Sequence, residues 1–170
     1  IKNGFGPASI KWLKLSGEAG NAEALKQLCL FYARGTFCKP DLQLSGSYAL
    51  KAANTGDPKA LAFLAYLYSP ENNFDLRGVF APNTQEWHSW LIKAAEAGDL
   101  QSQIDLGECY EKGLFGEQKT REAINCYKKV SEKVPVDEKE KLAIANANLK
   151  LGKFCLLSNT EFYNLTDAHN

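Results

Sequence analysis

This 170-residue chain has neither an excess of one sign of charge nor a long apolar segment. Its 20 Lys and Arg residues balance 20 Asp and Glu residues, so its charge gives no electrostatic case for a nucleic-acid or anionic-membrane partner. No apolar run approaches the ~18 residues that a membrane-spanning helix needs. The N-terminal sequence lacks the pattern of a signal peptide, and it has no initiator Met. We therefore expect this chain to be a folded piece of a longer protein, and we expect no membrane span within the chain itself.

Histidine is scarce, and the cysteines do not pair in sequence. Only His88 and His169 are present, and no two cysteines have CxxC spacing, so no zinc site is predicted. A disulfide between Cys29 and Cys38 has no support beyond their separation. The odd number of cysteines indicates free thiols and favours a reducing compartment such as the cytoplasm, with a secreted effector left open. The five cysteines are Cys29, Cys38, Cys109, Cys126 and Cys155.

Catalytic motifs are absent as well. The chain contains no HExxH, GxSxG, GxGxxG or phosphate-binding loop sequence. Paired acidic residues such as Glu138 and Glu140 are interpreted as helix caps and solvated faces. We therefore predict that the chain is not an enzyme, and that it holds no cofactor, no metal and no catalytic residue.

What the chain does contain is an internal repeat. Gly20, Gly56 and Gly98 are each followed at once by a helix N-cap residue, and their separations are 36 and 42 residues. Each is followed at four-residue intervals by a small residue, a Leu and a Tyr, a spacing that places the three on one helix face. These positions are Ala24, Leu28 and Tyr32; Ala60, Leu64 and Tyr68; and Ser102, Leu106 and Tyr110. Eight residues before each Gly stands an aromatic, and a fourth aromatic has the same surroundings without the Gly: Trp12, Tyr48, Trp90 and Tyr127.

Each repeat is therefore predicted to be a helix A, a turn, a helix B and a tight turn at Gly. Helix A is expected near 21–33, 57–68, 99–111 and 138–157. Helix B is expected near 42–54, 84–96 and 121–132, with a lone helix B near 8–18. The predicted N-caps of helix B are Asp41, Asn83 and Thr120, and capping boxes are expected at Asn83 with Glu86 and at Asp137 with Glu140. The fold class is all-α, a right-handed α-solenoid of helix-turn-helix repeats. It forms a single domain over 1–170, with units at 1–20 (partial), 21–56, 57–98, 99–134 and an atypical C-terminal cap at 135–170.

The turns between helix A and helix B share a Gly with a Phe two residues later, and we expect Phe37, Phe80 and Phe115 to pack back under their helix pairs. About seven residues are inserted after Tyr68, around 69–76, where the loop could close over a ligand. Residues 160–168 are expected to form a short closing helix of the cap.

The repeat resembles the Sel-1-like repeat, a relative of the tetratricopeptide repeat. Its helix A signature is Ala-x-x-x-Leu-Gly-x-x-Tyr-x-x-Gly, and the last eight positions of that signature, Leu-Gly-x-x-Tyr-x-x-Gly, are matched at 106–113. Its helix B ending, Lys-Ala-Ala-x-x-Gly, is matched at 93–98. Cys29 and Ala65 replace the signature glycine, and both are small enough for close helix packing. The resemblance covers roughly residues 10–130 and implies a scaffold or adaptor that binds a partner protein or peptide. Members act in bacterial signalling, cell-envelope processes and host interaction, and in eukaryotic protein quality control.

The expected partner site is a stripe on the concave surface that the A helices line. An apolar centre with a mixed-charge rim suits a protein or peptide better than a nucleic acid, and Tyr66 is the expected hot spot. An alternative is that Leu30, Tyr66 and Ile104 are covered by adjacent helices. A second function is also open: the chain could be the substrate-recognition arm of a larger enzyme. The sequence does not indicate an oligomeric state. The stripe comprises Glu23, Lys26, Leu30, Lys59, Ala62, Tyr66, Gln101, Ile104 and Glu108.

Overall fold

The fold is all-α in the residues that the structure describes. This computed structural model describes residues 6–72 and 79–167, and the side chains among them apart from residues 7 and 157–167. Eight helices and no strand occur in these ranges, and none of the helices is both long and apolar enough to cross a bilayer. The helices are α1 (Gly6–Glu18), α2 (Ala22–Arg34), α3 (Leu42–Asn54), α4 (Pro58–Tyr68), α5 (Thr84–Glu96), α6 (Leu100–Lys112), α7 (Thr120–Ser131) and α8 (Glu138–Asp167). They confirm the predicted alternation of A and B helices.

The turns that end the B helices depend on glycine. Gly20, Gly56 and Gly98 adopt φ values of 87°, 79° and 99°, in the left-handed region that L side chains rarely enter. The next residue then opens the following helix. The side chains of Asn21 and Asp57 accept hydrogen bonds from backbone N–H groups three residues on, at 2.9 and 2.8 Å. The predicted boundaries between repeats, a glycine turn followed by a helix N-cap, are therefore confirmed at these positions.

The caps of the B helices agree with the sequence at two of three places. Asp41 accepts a hydrogen bond from the backbone N–H of Leu44, and Asn83 caps α5 in the same way. Thr120 was predicted to cap α7, and this is wrong because it is the first residue of the helix. The preceding residue, Lys119, is the N-cap and makes no side-chain cap hydrogen bond.

The two expected capping boxes also differ from each other. Glu86 does not reach back to Asn83, because its carboxylate accepts a hydrogen bond from Trp90 Nε1 at 3.0 Å. The backbone N–H of Asn83 instead donates to the carbonyl of Tyr68. At α8 the reciprocal contact does form, one residue further back than expected. Glu140 accepts from the backbone N–H of Val136, while its own N–H donates to Asp137.

The chain divides into two compact units, residues 1–99 and 100–170. In the first unit, the core joins helices α2 to α5 and includes Leu64, Leu67 and Phe80. In the second, the core joins α6, α7 and α8 around Tyr127. The second core consists of Ile104, Ala123, Tyr127, Val130, Ala143 and Ala147.

The turn phenylalanines behave differently from one another. Phe80 is buried and packs edge-on against the Tyr68 ring, with 5.1 Å between centroids, which confirms the prediction there. Phe115 is half-buried. Phe37 is exposed, so the prediction is wrong for this residue. Its backbone has φ 65°, and its ring meets Phe31 at the surface. The part of the insertion at 73–78 lies outside the described residues.

The C-terminal element is one continuous helix. Residues 138–157 were expected to form a helix separated from a short closing helix at 160–168, and α8 instead runs unbroken from Glu138 to Asp167. The expected break is wrong because the two intervening residues, Ser158 and Asn159, are neither Pro nor Gly and do not force a helix to end.

Candidate functional site

On α2, the predicted stripe presents one charged pair beside an apolar residue. Glu23 is exposed and pairs with Lys26 at 2.8 Å, while Leu30, one turn further along, is half-buried. Hydrogen bonds from Lys26 and Gln27, followed by the nearby charges of Lys26 and Lys59, lower the pKa of the Glu23 carboxyl. Since Lys59 belongs to α4, the stripes of α2 and α4 lie side by side within the first unit.

On α4, the stripe contains an exposed aromatic between buried neighbours. Leu64 and Leu67 are completely buried, whereas Tyr66 keeps 37% of its surface exposed. Lys59 is exposed, and Ala62 is half-buried against the core of the first unit. An apolar ring beside a Lys and a Glu–Lys pair forms a surface that can contact both apolar and charged groups of a partner. We call these six residues of α2 and α4 the α2–α4 stripe.

On α6, in the second unit, the prediction needs a correction. Ile104 is only 3% exposed and packs with Ala123 and Tyr127, so it is a core residue and cannot contact a partner. At this position the side chain of α6 points at α7, its own helix B. The alternative given with the prediction, coverage by an adjacent helix, is correct for Ile104. Gln101 is exposed and hydrogen bonds to Asp105 at 2.8 Å.

Glu108 belongs to a charge network that joins α6 to α8. It pairs with Lys150 at 3.0 Å and with Lys112 at 3.2 Å, and Lys150 also reaches Glu111 at 3.5 Å. Burial alone would raise the pKa of Glu108, but the hydrogen bonds from the two lysines outweigh it and lower the pKa. Glu108 is therefore already engaged inside the second unit, which favours a structural role for its charge.

The cysteines and the described histidine, the side chains most often used in catalysis or metal binding, lie on different helices and turns. The five cysteines are free thiols; burial raises the pKa of Cys29, whose sulfur lies 3.4 Å from the Ser45 hydroxyl. His88 is half-buried on α5. In residues 6–72 and 79–167 no three His, Cys, Asp or Glu side chains are grouped so that they could hold a metal ion.

Two further apolar surfaces were not singled out from the sequence. One lies on α1 and includes Trp12 and Leu15; the other lies on α8 and includes Leu142, Leu149 and Leu156, all exposed. The signal on α8 was available, because these leucines recur every seven residues and so share one helix face.

Comparison with known families agrees with the repeat pattern. The Sel1 repeat family model matches three segments, at residues 22–57, 58–99 and 100–133. Together these matches cover more than half of the chain.

Among curated proteins, the chain resembles DAP3-binding cell death enhancer 1. Identity is 37% over 95 residues with the rat protein and 34% over 97 residues with the mouse protein. These matches cover 56% and 57% of the chain, but only 17% and 18% of the two relatives. Rat eukaryotic elongation factor 2 kinase is 32% identical over 92 residues, covering 49% of the chain and 13% of the kinase. The chain thus corresponds to a minor part of each relative.

Two solved structures share the fold. A Sel1 repeat protein from Oxalobacter formigenes superimposes with a TM-score of 0.62 and 25% identity, covering 79% of this chain and 95% of that one. The protective antigen c5321 of uropathogenic Escherichia coli has a TM-score of 0.56 and 21% identity, covering 84% of this chain and 33% of that one. The second likeness concerns the fold alone.

Proposed function

This chain belongs to the Sel1 repeat family, and from that premise we propose that it is a non-catalytic scaffold whose α2–α4 stripe binds a partner protein or peptide. Sel1 repeat proteins generally mediate contacts between proteins. The stripe lies on two successive A helices of one compact unit, so its residues are held on rigid elements.

The observation that carries the proposal is the exposure of Tyr66. Tyr66 keeps 37% of its surface exposed on a helix whose neighbouring Leu64 and Leu67 are completely buried. Tyrosine is enriched at binding hot spots because it offers a large contact area with few rotatable bonds. Leu30 extends the apolar centre, and Glu23, Lys26 and Lys59 supply a charged rim.

The character of this rim favours a protein or peptide over a polyanion. Glu23 and Lys26 neutralise each other at 2.8 Å, which leaves Lys59 as the further charge of the stripe. A phosphate backbone is bound through several positive charges, each of which releases counterions. A mixed rim around an apolar centre is instead typical of a modest protein interface.

Site-specific photocrosslinking tests the site before any partner is chosen. A benzophenone amino acid replaces Tyr66 in one variant and Leu42 in a control. Both residues are 37% exposed, but Leu42 opens α3, outside the stripe. We expect a protein adduct at position 66 that is absent at position 42 and that competing unlabelled chain suppresses. Equal labelling at both positions, in folded variants, would remove the site from the stripe.

The curated relatives suggest the first partner to assay. Because the rat and mouse relatives are named for binding DAP3, we propose DAP3 as the initial candidate ligand. Titration of purified DAP3 with the chain should give saturable binding that Tyr66→Ala weakens and Leu42→Ala does not. Absence of binding would exclude DAP3 and leave the stripe to be tested with the crosslinked partner.

The alternative function, a recognition arm of a larger enzyme, has one specific observation in its favour. The chain matches a 92-residue part of eukaryotic elongation factor 2 kinase at 32% identity. Under this alternative the partner of the stripe is the enzyme's substrate. Fusing the chain to a promiscuous labelling enzyme should then enrich modification of that substrate in a Tyr66-dependent manner. A bacterial host-interaction or signalling role stays a prediction from the family.

A further inference from the structure

The α2–α4 stripe is formed by two parallel helices whose corresponding ends meet. Near the start of each helix, Leu25 of α2 and Ala60 of α4 share one core. Further along, Cys29 of α2 and Leu64 of α4 share another. Helices of the same unit come before and after both of them in the chain, so the stripe belongs to internal helices.

The stripe has a charged end and an apolar end. Glu23 and Lys59 lie in the first turns of α2 and α4. Leu30 and Tyr66 each follow seven residues later, about 20° short of two full turns and therefore on the same face, ~10 Å further along the axis. Ala62 lies between Lys59 and Tyr66, and its small side chain allows a partner to approach α4 closely.

At the charged end, Lys59 is the group available to a partner. The Glu23 carboxylate is paired with Lys26 at 2.8 Å. Asp57 caps α4 by accepting a hydrogen bond from the helix backbone at 2.8 Å. Lys59 is exposed and forms no salt bridge with any residue of 6–72 or 79–167. The positive end of the α4 dipole lies beside it, so this end of the stripe is complementary to a carboxylate.

We propose that the α2–α4 stripe receives an amphipathic helix of the partner in which an acidic side chain and a large apolar side chain stand seven residues apart. The carboxylate contacts Lys59, and the apolar side chain contacts Tyr66 and Leu30. This inference rests on the proposed function, and it adds the chemistry and the conformation of the segment that the stripe recognises.

The spacing of the stripe favours a helix as the occupant. Side chains seven residues apart on a helix share one face and stand ~10 Å apart, which matches the distance along α4 from Lys59 to Tyr66. In an extended strand, ~10 Å corresponds to about three residues, whose side chains point to opposite faces. A polyproline segment has a suitable period, but such segments dock on grooves lined by several aromatic side chains. The stripe contains one aromatic, Tyr66.

Selection from a phage-displayed library of random peptides tests the proposal. The peptides have ~16 residues, enough for about four helical turns. The native chain is the target, and peptides that bind the Tyr66→Ala chain are removed beforehand. We expect the selected sequences to be enriched in Asp or Glu seven residues from a large apolar residue, and the synthesised peptides to become helical when they bind.

Reversing the charge of the stripe gives the sharper result. Selection on Lys59→Glu should enrich Lys or Arg at the formerly acidic position and leave the apolar position unchanged. Lys39→Glu is the matched control, because Lys39 is also exposed but lies in the turn between α2 and α3, outside the stripe. Selection on this control should return the same acidic peptides as selection on the native chain.

The affinity of one selected peptide, labelled with a fluorophore, isolates the charge pair. Replacing its acidic residue by Gln should weaken binding to the native chain ~2- to 5-fold at low salt and leave binding to the Lys59→Gln chain unchanged. Lys59→Gln changes one exposed side chain and should keep the fold. Circular dichroism and thermal melting establish that each variant is folded.

The outcomes separate this inference from the proposed function on which it rests. Tyr66-dependent peptides that lack an acidic residue, or that place it at another spacing, would overturn the inference and leave the stripe as the binding site. An acidic preference that persists on Lys59→Glu would overturn it as well. If no peptide distinguishes the native chain from folded Tyr66→Ala, both the inference and the stripe are contradicted.

Discussion

Replacement of Tyr127 by Ala is expected to destabilise the second unit while sparing the first. Tyr127 is the largest completely buried side chain of the described residues, and it contacts α6 through Gly107 and α8 through Phe154. Truncating a buried aromatic to Ala costs about 3–5 kcal/mol. A unit of this length has a stability of roughly 4–10 kcal/mol, at about 0.05–0.15 kcal/mol per residue. The substitution therefore removes a third or more of the free energy of unfolding of residues 100–170.

A milder variant separates the ring from its hydroxyl. Tyr127→Phe keeps the packing and loses the hydrogen bond to Glu111, which should cost only about 1–2 kcal/mol because Glu111 remains near Lys150. Native-state hydrogen exchange is the assay. In Tyr127→Ala, amide protection of α6 to α8 should fall by roughly two to four powers of ten, at about 1.4 kcal/mol per factor of ten. Protection of α1 to α5 should change little. An equal loss of protection in α1 to α5 would refute the confinement of damage to neighbouring repeats.

Three other predictions follow from single contacts. Gly56→Ala should destabilise the chain by about 1–2 kcal/mol in chemical unfolding, because φ is 79° there and no described atom crowds the site, while Gly56→Asn should cost less. The pKa of the Glu108 carboxyl is lowered, so the ionised carboxylate stabilises the fold above the ordinary pKa of 4.5, and this stabilisation is lost as pH falls through the lowered pKa. Glu108→Gln should therefore reduce the loss of unfolding free energy at acidic pH. An unchanged dependence of the unfolding free energy on pH in this range would contradict the prediction. Exposed Cys155 should react quickly with a thiol reagent while buried Cys29, whose pKa is raised, reacts only as fast as the fold opens; comparable rates in the folded chain would contradict the burial.

Apart from the C-terminal end of α8, the helix bounds and repeat turns were predictable from sequence because their causes are local. A glycine at positive φ followed by Asn21 or Asp57 ends one helix and begins the next with contacts that span three or four residues. The aromatic and leucine positions repeat in register with these turns, so the assignment of A and B helices followed from the same local signals. The alternation of α1 to α8 is confirmed on that basis.

The exposed surfaces were less predictable because they depend on which helix lies opposite. Ile104 and Lys26 occupy the same position of helix A, yet Ile104 is buried under Tyr127 while Lys26 reaches Glu23 at the surface. Glu86 had a sequence partner at Asn83 but bonds to Trp90 instead, a choice fixed by side-chain packing along α5. The spacing of the α8 leucines places them on one face of the helix. That Leu149 on this face is exposed in the described structure depends on which helices lie nearby, and spacing alone does not reveal this.

The affinity of the chain for its crosslinked partner, measured by calorimetry for Tyr66→Ala, tests the scaffold proposal most directly. The account predicts a loss of about 1–3 kcal/mol, a roughly 5- to 150-fold weaker binding, with helicity and melting unchanged. Leu42→Ala should bind like the native chain. Adding Leu30→Ala should weaken binding further, because Leu30 and Tyr66 both belong to the α2–α4 stripe. Native affinity in a folded Tyr66→Ala, Leu30→Ala variant would contradict the account and remove the binding site from α2 and α4.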